Sequence, residues 1–441
     1  MITQPYQIHQ NDREQQARNL GLSLGEFDRL VESSNKAFET FYDLGPFYGN
    51  EEIKEPTFRV TAEPVKLPKG SKLILENLGV DLFHLAKALK NLPEPVKQKL
   101  GNDLDFHIPP TWRIDVIISE NGKLRVNEIE GRDGANALMI AEQLAYDLIP
   151  LKNSTAAKLI PALKAMTAKS DEIKLALVRL DITHDAYAVN AEKFISFIKR
   201  LSTNEVIVEH LNETDIRSGL LKPKWEEYDG ILNEGSLSPK DLFELGAKEE
   251  QLLAAGNYNA LVNKGTIAIL FDETLSDFWT NNLGVERFER LKEILIYSRF
   301  IESKEDLEKA RKGKKVVKVS WAGSDISLIN RSKGVALPEG AMVQASIERW
   351  EMLKDLVDKG VKIVAQDFVT PARIPAYLRK KGTNLEYVEW YNRLCVKYVV
   401  NGNPNDDTNP SISLTAAEVT LGPDIVPAGR SCAFTAASFD E

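Results

Sequence analysis

Trp112-Arg-Ile-Asp-Val-Ile-Ile118, Ser119-Glu-Asn-Gly-Lys123 and Leu124-Arg-Val-Asn-Glu-Ile-Glu130 follow one another without a break. The first run alternates apolar and polar residues with period two, which is the spacing of a half-buried strand. Asn121-Gly122 is a strong signal for a tight hairpin turn. The third run reads as the return strand. On a strand Glu128 and Glu130 point to one face, and Arg113 and Asp115 share a face in the same way. Val126 and Ile129 beside them are apolar. Two like charges on one face repel and call for a compensating cation. Magnesium takes hard oxygen ligands, commonly a few carboxylates plus phosphate oxygens. Arg113 would suit a phosphate or carboxylate, which a guanidinium grips with two parallel hydrogen bonds. The plain alternative is a solvated hairpin face with an ordinary Arg–Glu cross-strand pair.

Outward from this ribbon the period changes several times. Residues 1–22 are rich in Gln, Asn and Arg and predict a loose segment. Ser23-Leu-Gly-Glu26 is a capping-box pattern before a helix carrying Phe27, Leu30 and Val31. A second helix is expected from about Val80 to Leu92, with Gly70 and Gly79 as breakers before it and Pro93 and Pro95 ending it. Ala135 to Leu148 reads as a helix. From 172 to 272, Lys174–Leu180, Val206–Val208, Gly230–Leu232 and Thr266–Phe271 read as strands with helices between, the pattern of a mostly parallel sheet. Two charged helices are expected near 285–300 and 303–312, then a strand at Lys315–Ser320. A helix over 348–359 stops at Gly360, a strand follows at 361–369, and the end of the chain is β-rich.

The chain has 441 residues, a length that suggests about three domains. Hydrophobic residues make up 43% and charged residues 27%, enough apolar surface for a large core, so disordered, collagenous and small disulfide-stapled classes are excluded. The net charge of −9 makes nucleic acid and anionic membrane surfaces poor partners. The start has no basic segment followed by an apolar run, and no apolar run approaches the roughly 20 residues of a membrane helix. A soluble protein of the reduced cytosol is the expectation. Two cysteines cannot build a disulfide framework. Cys395 reads as strand packing, and Cys432 as a loop thiol beside Arg430. His9, His84, His107, His184 and His210 have no metal-ligand spacing, and neither a nucleophile elbow nor a Gly-rich P-loop or dinucleotide fingerprint is present.

Three further segments carry chemistry. Lys318 lies inside the apolar strand Lys315-Val-Val-Lys-Val-Ser320, where an ammonium is costly unless it meets an anion or snorkels to water. Ala322-Gly-Ser324 follows it, small residues through which backbone amides can approach phosphate oxygens. Lys264 sits in Val262-Asn-Lys-Gly265. Ile363-Val-Ala-Gln-Asp-Phe-Val369 is an apolar strand interrupted by Gln366 and Asp367, either a plain buried strand or an edge for a planar ring.

Taken in order, these patches resemble the ATP-grasp superfamily, with the likeness nearest to its circularly permuted branch that contains glutathionylspermidine synthase. Arg113-Ile-Asp115 and Glu128-Ile-Glu130 match the family's early Arg-x-Asp and Glu-x-Asn strands. Lys264, Val316-Val-Lys318 with Ala322-Gly-Ser324, Val364 to Phe368, and Gly429 to Phe434 match its later segments. The order holds from about 105 to the C-terminus. Glu130 stands where the family has Asn, Val319 replaces a proline, and the loop has one glycine. No cysteine precedes residue 105 to suggest the amidase that often accompanies this branch, so glutathione and polyamine specificity are not implied.

The resemblance implies a mixed α+β and α/β fold. It would have an N-terminal, mostly helical segment at 1–104, a metal-binding hairpin and helix at 105–171, and a parallel-sheet substrate module at 172–272. A lid with the adenine strand would span 273–380 and a β-rich part of the core 381–441. It implies ATP held by Lys264, Lys318, Gly323, Ser324, Gln366, Asp367 and Phe368. Magnesium would sit on Asp115, Glu128 and Glu130, with Arg113 as the catalytic residue. The implied reaction joins a small-molecule carboxylate to an amine through an acyl phosphate, releasing ADP and phosphate. A phosphotransferase without amine acceptor, a non-catalytic nucleotide- or partner-binding member and an unrelated α/β protein stay open as alternatives. Oligomeric state is not legible.

Overall fold

The structure is a computed structural model of the chain. It describes residues 10–43, 59–101, 103–131, 136–179, 186–235, 237–320, 335–336, 347–379, 384–405, 411–424 and 432–439. Ala322-Gly-Ser324 and residues 429–431 lie outside them.

The ribbon forms as its alternation dictates. β3 (Thr111–Ile118) pairs antiparallel with β4 (Leu124–Glu130). At the turn Gly122 takes φ 76°, and the Ser119 amide donates to the Lys123 carbonyl at 2.9 Å. Trp112, Ile114, Val116, Val126 and Ile129 are buried in the largest core, so the ribbon's second face carries its charges.

This ribbon is one margin of an eight-stranded sheet. Its other strands are β1 (Arg59–Thr61), β2 (Val65–Lys66), β13 (Arg373–Arg379), β14 (Glu386–Asn401), β15 (Ser411–Gly422) and β16 (Ala433–Ser438). The order is β13-β1-β16-β15-β14-β3-β4, with β2 alongside β16. Helix Ser71–Lys90 packs on one face over β15, and helices Asn136–Ala145 and Thr155–Met166 cover the other over β14 and β15. A second sheet is parallel throughout, ordered β6 (Val206–Asn212), β5 (Ile173–Arg179), β7 (Gly230–Asn233), β8 (Leu252–Ala254). A third is antiparallel, ordered β11 (Val335–Ala336), β10 (Val316–Val319), β12 (Ile363–Gln366), β9 (Ser298–Ile301). Among the described residues no helix is long and apolar enough to cross a membrane.

Several local expectations are corrected. Residues 10–19 form a helix, because Ala17 packs into a small core with Phe27 and Leu30 and Arg13 pairs with Asp28. The capping box at Ser23 forms, with the Ser23 amide donating to Glu26 Oε2 at 2.9 Å. The helix expected from Val80 begins at Ser71, and Gly79 lies inside it. Thr266–Phe271 is not a strand: Lys264–Leu270 is a helix whose residues from Gly265 onward are all buried, and an apolar run without a polar face cannot reveal its period. The strand missing from the parallel sheet is supplied by β8. The helix expected to reach 300 ends at Ile294, because Ser298–Ile301 is recruited as the partner of β12. Cys432 is buried in the core shared with Phe434, not in an open loop.

Gly79 marks where the 71–90 helix presses on the sheet. A Cβ there would lie 2.6 Å from the Tyr398 ring and 3.2 Å from Ile412, while the Tyr398 hydroxyl donates to the Leu75 carbonyl at 2.8 Å. Gly79→Ala is therefore expected to destabilise the protein by about 1–3 kcal/mol through overpacking, despite the better helix propensity of alanine. Gly25→Ala, with open space around it in helix Leu24–Asp43, is expected to be neutral or stabilising by up to about 1 kcal/mol. Denaturant midpoints of the two variants check this.

Candidate functional site

The charged side of the ribbon is organised by strand register. Arg113 lies opposite Glu130, and Asp115 opposite Glu128. On the next strand Lys397 lies opposite Arg113 and Cys395 opposite Asp115, and Glu418 on β15 follows Cys395. One sheet face thus carries Glu130, Arg113 and Lys397 in one row, and Glu128, Asp115, Cys395 and Glu418 in the next. Arg113 Nε donates to Asp115 Oδ1 at 3.0 Å, and Arg393 Nη1 stands 4.0 Å from Asp115 Oδ2.

The ladder slips between Asp115 and Val116, because Val116 pairs with Val126 while Asp115 pairs with Glu128. Asn127 is the extra residue of this bulge. A bulge releases backbone groups from the ladder, and the Asn127 carbonyl accepts from Lys318 Nζ at 2.9 Å and from Gln366 Nε2 at 3.1 Å. Lys318 Nζ also lies 3.9 Å from Glu128 Oε2. Lys264 Nζ pairs with Glu128 Oε1 and lies 3.2 Å from Glu130 Oε1. The helix that begins at Lys264 is capped by Asn263, whose Oδ1 accepts from the Gly265 amide at 2.8 Å and from the Ser320 hydroxyl at 2.7 Å. That last bond ties the start of this helix to the end of β10.

The electrostatics follow from this crowding. Burial pushes the Lys318 ammonium down to about 8 against the pull of Asp115 and Glu130. Burial and the neighbouring Lys318 hold Lys264 well below the ordinary lysine range. Burial raises the Glu130 carboxyl, with Arg113 opposing. Burial also raises Asp115, but Arg113 and Arg393 outweigh it and leave that carboxyl lower than usual. On the helix that covers this face over β15, burial pushes Glu142 well up and Glu418 adds to it.

The structure therefore brings together Arg113, Asp115, Glu128, Glu130, Lys264, Lys318 and Gln366. Gln366 Nε2 also donates to Ser298 Oγ at 3.2 Å. Asp367 is committed elsewhere, to Lys315 Nζ at 2.6 Å and through its amide to the Tyr297 carbonyl at 2.9 Å. Phe368 is half-buried. Gly323 and Ser324 lie outside the described residues. Cys395 is buried against Met139 and Ala416, as packing. Four residues of the site were not singled out from sequence: Asn127, Arg393, Lys397 and Glu418. The last three break the apolar alternation of β14 and β15, a signal that acquires meaning only once β14 is known to pair with β3.

Among the described residues no group of three or more His, Cys, Asp or Glu is arranged to hold a metal ion. Glu128 and Glu130 keep 22% and 23% of their side-chain surface open. Their oxygens are the donors magnesium prefers, and they fit a cation that completes its sphere with phosphate and water rather than an all-protein cage.

Comparison with known proteins bears on the fold. No protein-family model and no curated protein matches the chain. Among solved structures, a glutathione synthetase-like effector, GSS30, from Globodera pallida in its apo form superposes with a TM-score of 0.59 at 11% identity, covering 94% of this chain and 96% of that one. A putative gamma-glutamylcysteine synthetase from Methylobacillus flagellatus covers 81% of this chain and 84% of its own at 10% identity, with a TM-score of 0.38, too loose to bear on the fold. The mixed α/β architecture is thus similar to that of a glutathione synthetase-like protein over nearly the whole length of both chains.

Proposed function

We propose that the protein is an ATP-dependent carboxylate–amine ligase of the ATP-grasp kind, working through an acyl phosphate with release of ADP and phosphate. The observation that carries this is the convergence of Glu128, Glu130, Asp115 and Arg113 on Lys264 and Lys318. Acidic and basic groups facing each other around one point are what a metal-bound polyphosphate needs. The fold shared with a glutathione synthetase-like protein supports it. In this reading residues 105–171, 273–380 and 381–441 form a permuted nucleotide-binding core, and 172–272 is the substrate module.

Lys264 and Lys318 would neutralise the phosphates. Glu128 and Glu130 would hold magnesium, which when bound lowers the repulsion between phosphate and an incoming carboxylate, whereas Asp115, expected from sequence as a third ligand, is engaged by Arg113 instead. Gln366, Asp367 and Phe368 would border the adenine. Arg113, oriented by Asp115, would grip the transferred phosphoryl group and then steady the oxyanion formed when the amine attacks. Lys264 serves two states of the enzyme. Without nucleotide it neutralises Glu128 and Glu130, and with nucleotide it would turn to the phosphates.

That same pairing favours a second reading, a nucleotide-binding member without turnover, because the ammonium of Lys264 already occupies both carboxylates. A magnesium-dependent ADP-release screen over pooled carboxylic acids and amines separates the two. Turnover is expected for the ligase, whereas calorimetric ATP binding without ADP release selects the second reading.

Arg113→Ala is expected to lower ADP release by roughly 10²–10³ with the fold retained by circular dichroism; turnover equal to the wild type would remove Arg113 from the site. Lys264→Met leaves Glu128 and Glu130 facing each other without their ammonium. It is expected to cost about 3 kcal/mol of stability in chemical denaturation, and the double variant Lys264→Met/Glu128→Gln to recover part of that loss. Equal losses in the single and double variants would show that the pair is not coupled.

A further inference from the structure

At the turn end of the ribbon, away from Glu128 and Glu130, a groove of about 360 Å³ opens between the start of helix Ser71–Lys90, the hairpin turn and helix Val285–Ile294. That size lies in the range of small-molecule sites. Pro68, Ile74, Leu78, Leu124 and Ile294 supply apolar walls. Ile74 is 47% exposed and its neighbour Leu73 63%, so the apolar surface continues outward to solvent. Large apolar side chains grouped beside a concavity mark a binding surface more often than isolated ones do.

The polar groups of the groove are predominantly cationic, on a chain whose net charge is −9. Its two acids are already matched. Asp81, 3% exposed, accepts from Arg290 Nε at 2.9 Å, Arg290 Nη2 at 2.8 Å and Arg287 Nε at 3.0 Å. Glu293 lies 3.9 Å from Lys123 Nζ. What is left over is positive. Arg290 is fixed by Asp81, and its Nη1 has no partner among the described residues. Arg125 donates through Nη1 to the Glu293 carbonyl at 2.7 Å, yet its Nε is buried without a partner. Lys69 is exposed and unpaired among the described residues. Ser71, 2% exposed, lines the groove, and the helix it begins has no side-chain cap. A buried orphan donor is costly, and here Arg125 Nε stands beside two under-used cations at one end of an apolar trough.

We propose that this groove binds a small amphipathic monocarboxylate, its chain along Ile74, Leu78, Leu124 and Ile294 and its carboxylate among Lys69, Ser71, Arg125 and Arg290. The site is separate from the nucleotide site and stands or falls independently of the ligase reading. Burial of an alkyl chain supplies the affinity, and the cations set the sign of the head group.

Isothermal titration of the full chain with octanoate tests this, with acetate (head alone), octanol (chain alone) and octyl phosphate as comparison probes. Octanoate is expected to saturate one site, at least tenfold tighter than acetate or octanol. Lys69→Glu and Ile74→Asp, both at exposed positions, are each expected to weaken it by about tenfold or more. Absence of saturable octanoate binding would overturn the site. Octanoate affinity unchanged in both variants would overturn its location, and tighter binding of octyl phosphate would overturn the carboxylate assignment.

Discussion

Glu128 and Glu130 share one strand face, and the other face of that strand is committed to the core through Val126 and Ile129. The two carboxylates cannot turn away, because a one-residue slip would bury them and expose the apolar set. Near a protein interior such a pair demands positive partners. They arrive from far along the chain: Lys264 is 134 residues beyond Glu130, and Lys318 lies 191 beyond the Asn127 carbonyl that it grips. This compensation binds the antiparallel β9–β12 sheet and the Lys264 helix to the ribbon. The juncture where the sheets meet is thereby charged rather than apolar.

The rest of the architecture keeps that charged cluster in register. The Asn127 bulge turns a backbone carbonyl toward both Lys318 and Gln366. Asn263 caps the Lys264 helix and holds Ser320 at the end of β10, so both lysines are positioned by one side chain. Helix Ser71–Lys90, seated on Tyr398 through Gly79, backs the sheet from its apolar side. A fold shared at 11% identity over nearly all of both chains is carried by apolar periodicity and turn chemistry rather than by particular residues.

Much of this was legible in the chain. The alternation of 112–118 and the Asn-Gly turn specify the ribbon, and the strands near 174, 206 and 230 do form a parallel sheet. Lys318 inside an apolar strand announces a buried charge. What stayed hidden depends on partners distant in sequence. The uniformly apolar run after Lys264 carries no period, so it read as a strand although Asn263 was there to cap a helix. Arg393, Lys397 and Glu418 acquire a role only through the pairing of β14 with β3 and β15. The bulge at Asn127 is a mismatch between two strands and is invisible in either alone.

The most direct test is a crystal structure of the protein with magnesium and a non-hydrolysable ATP analogue. The β- and γ-phosphates are expected within hydrogen-bonding distance of Lys264 and Lys318, with a metal ion on Glu128 and Glu130 and the Lys264–Glu128 contact broken. Nucleotide bound elsewhere, or a Lys264–Glu128 pair left intact in a crystal saturated with the analogue, would contradict it.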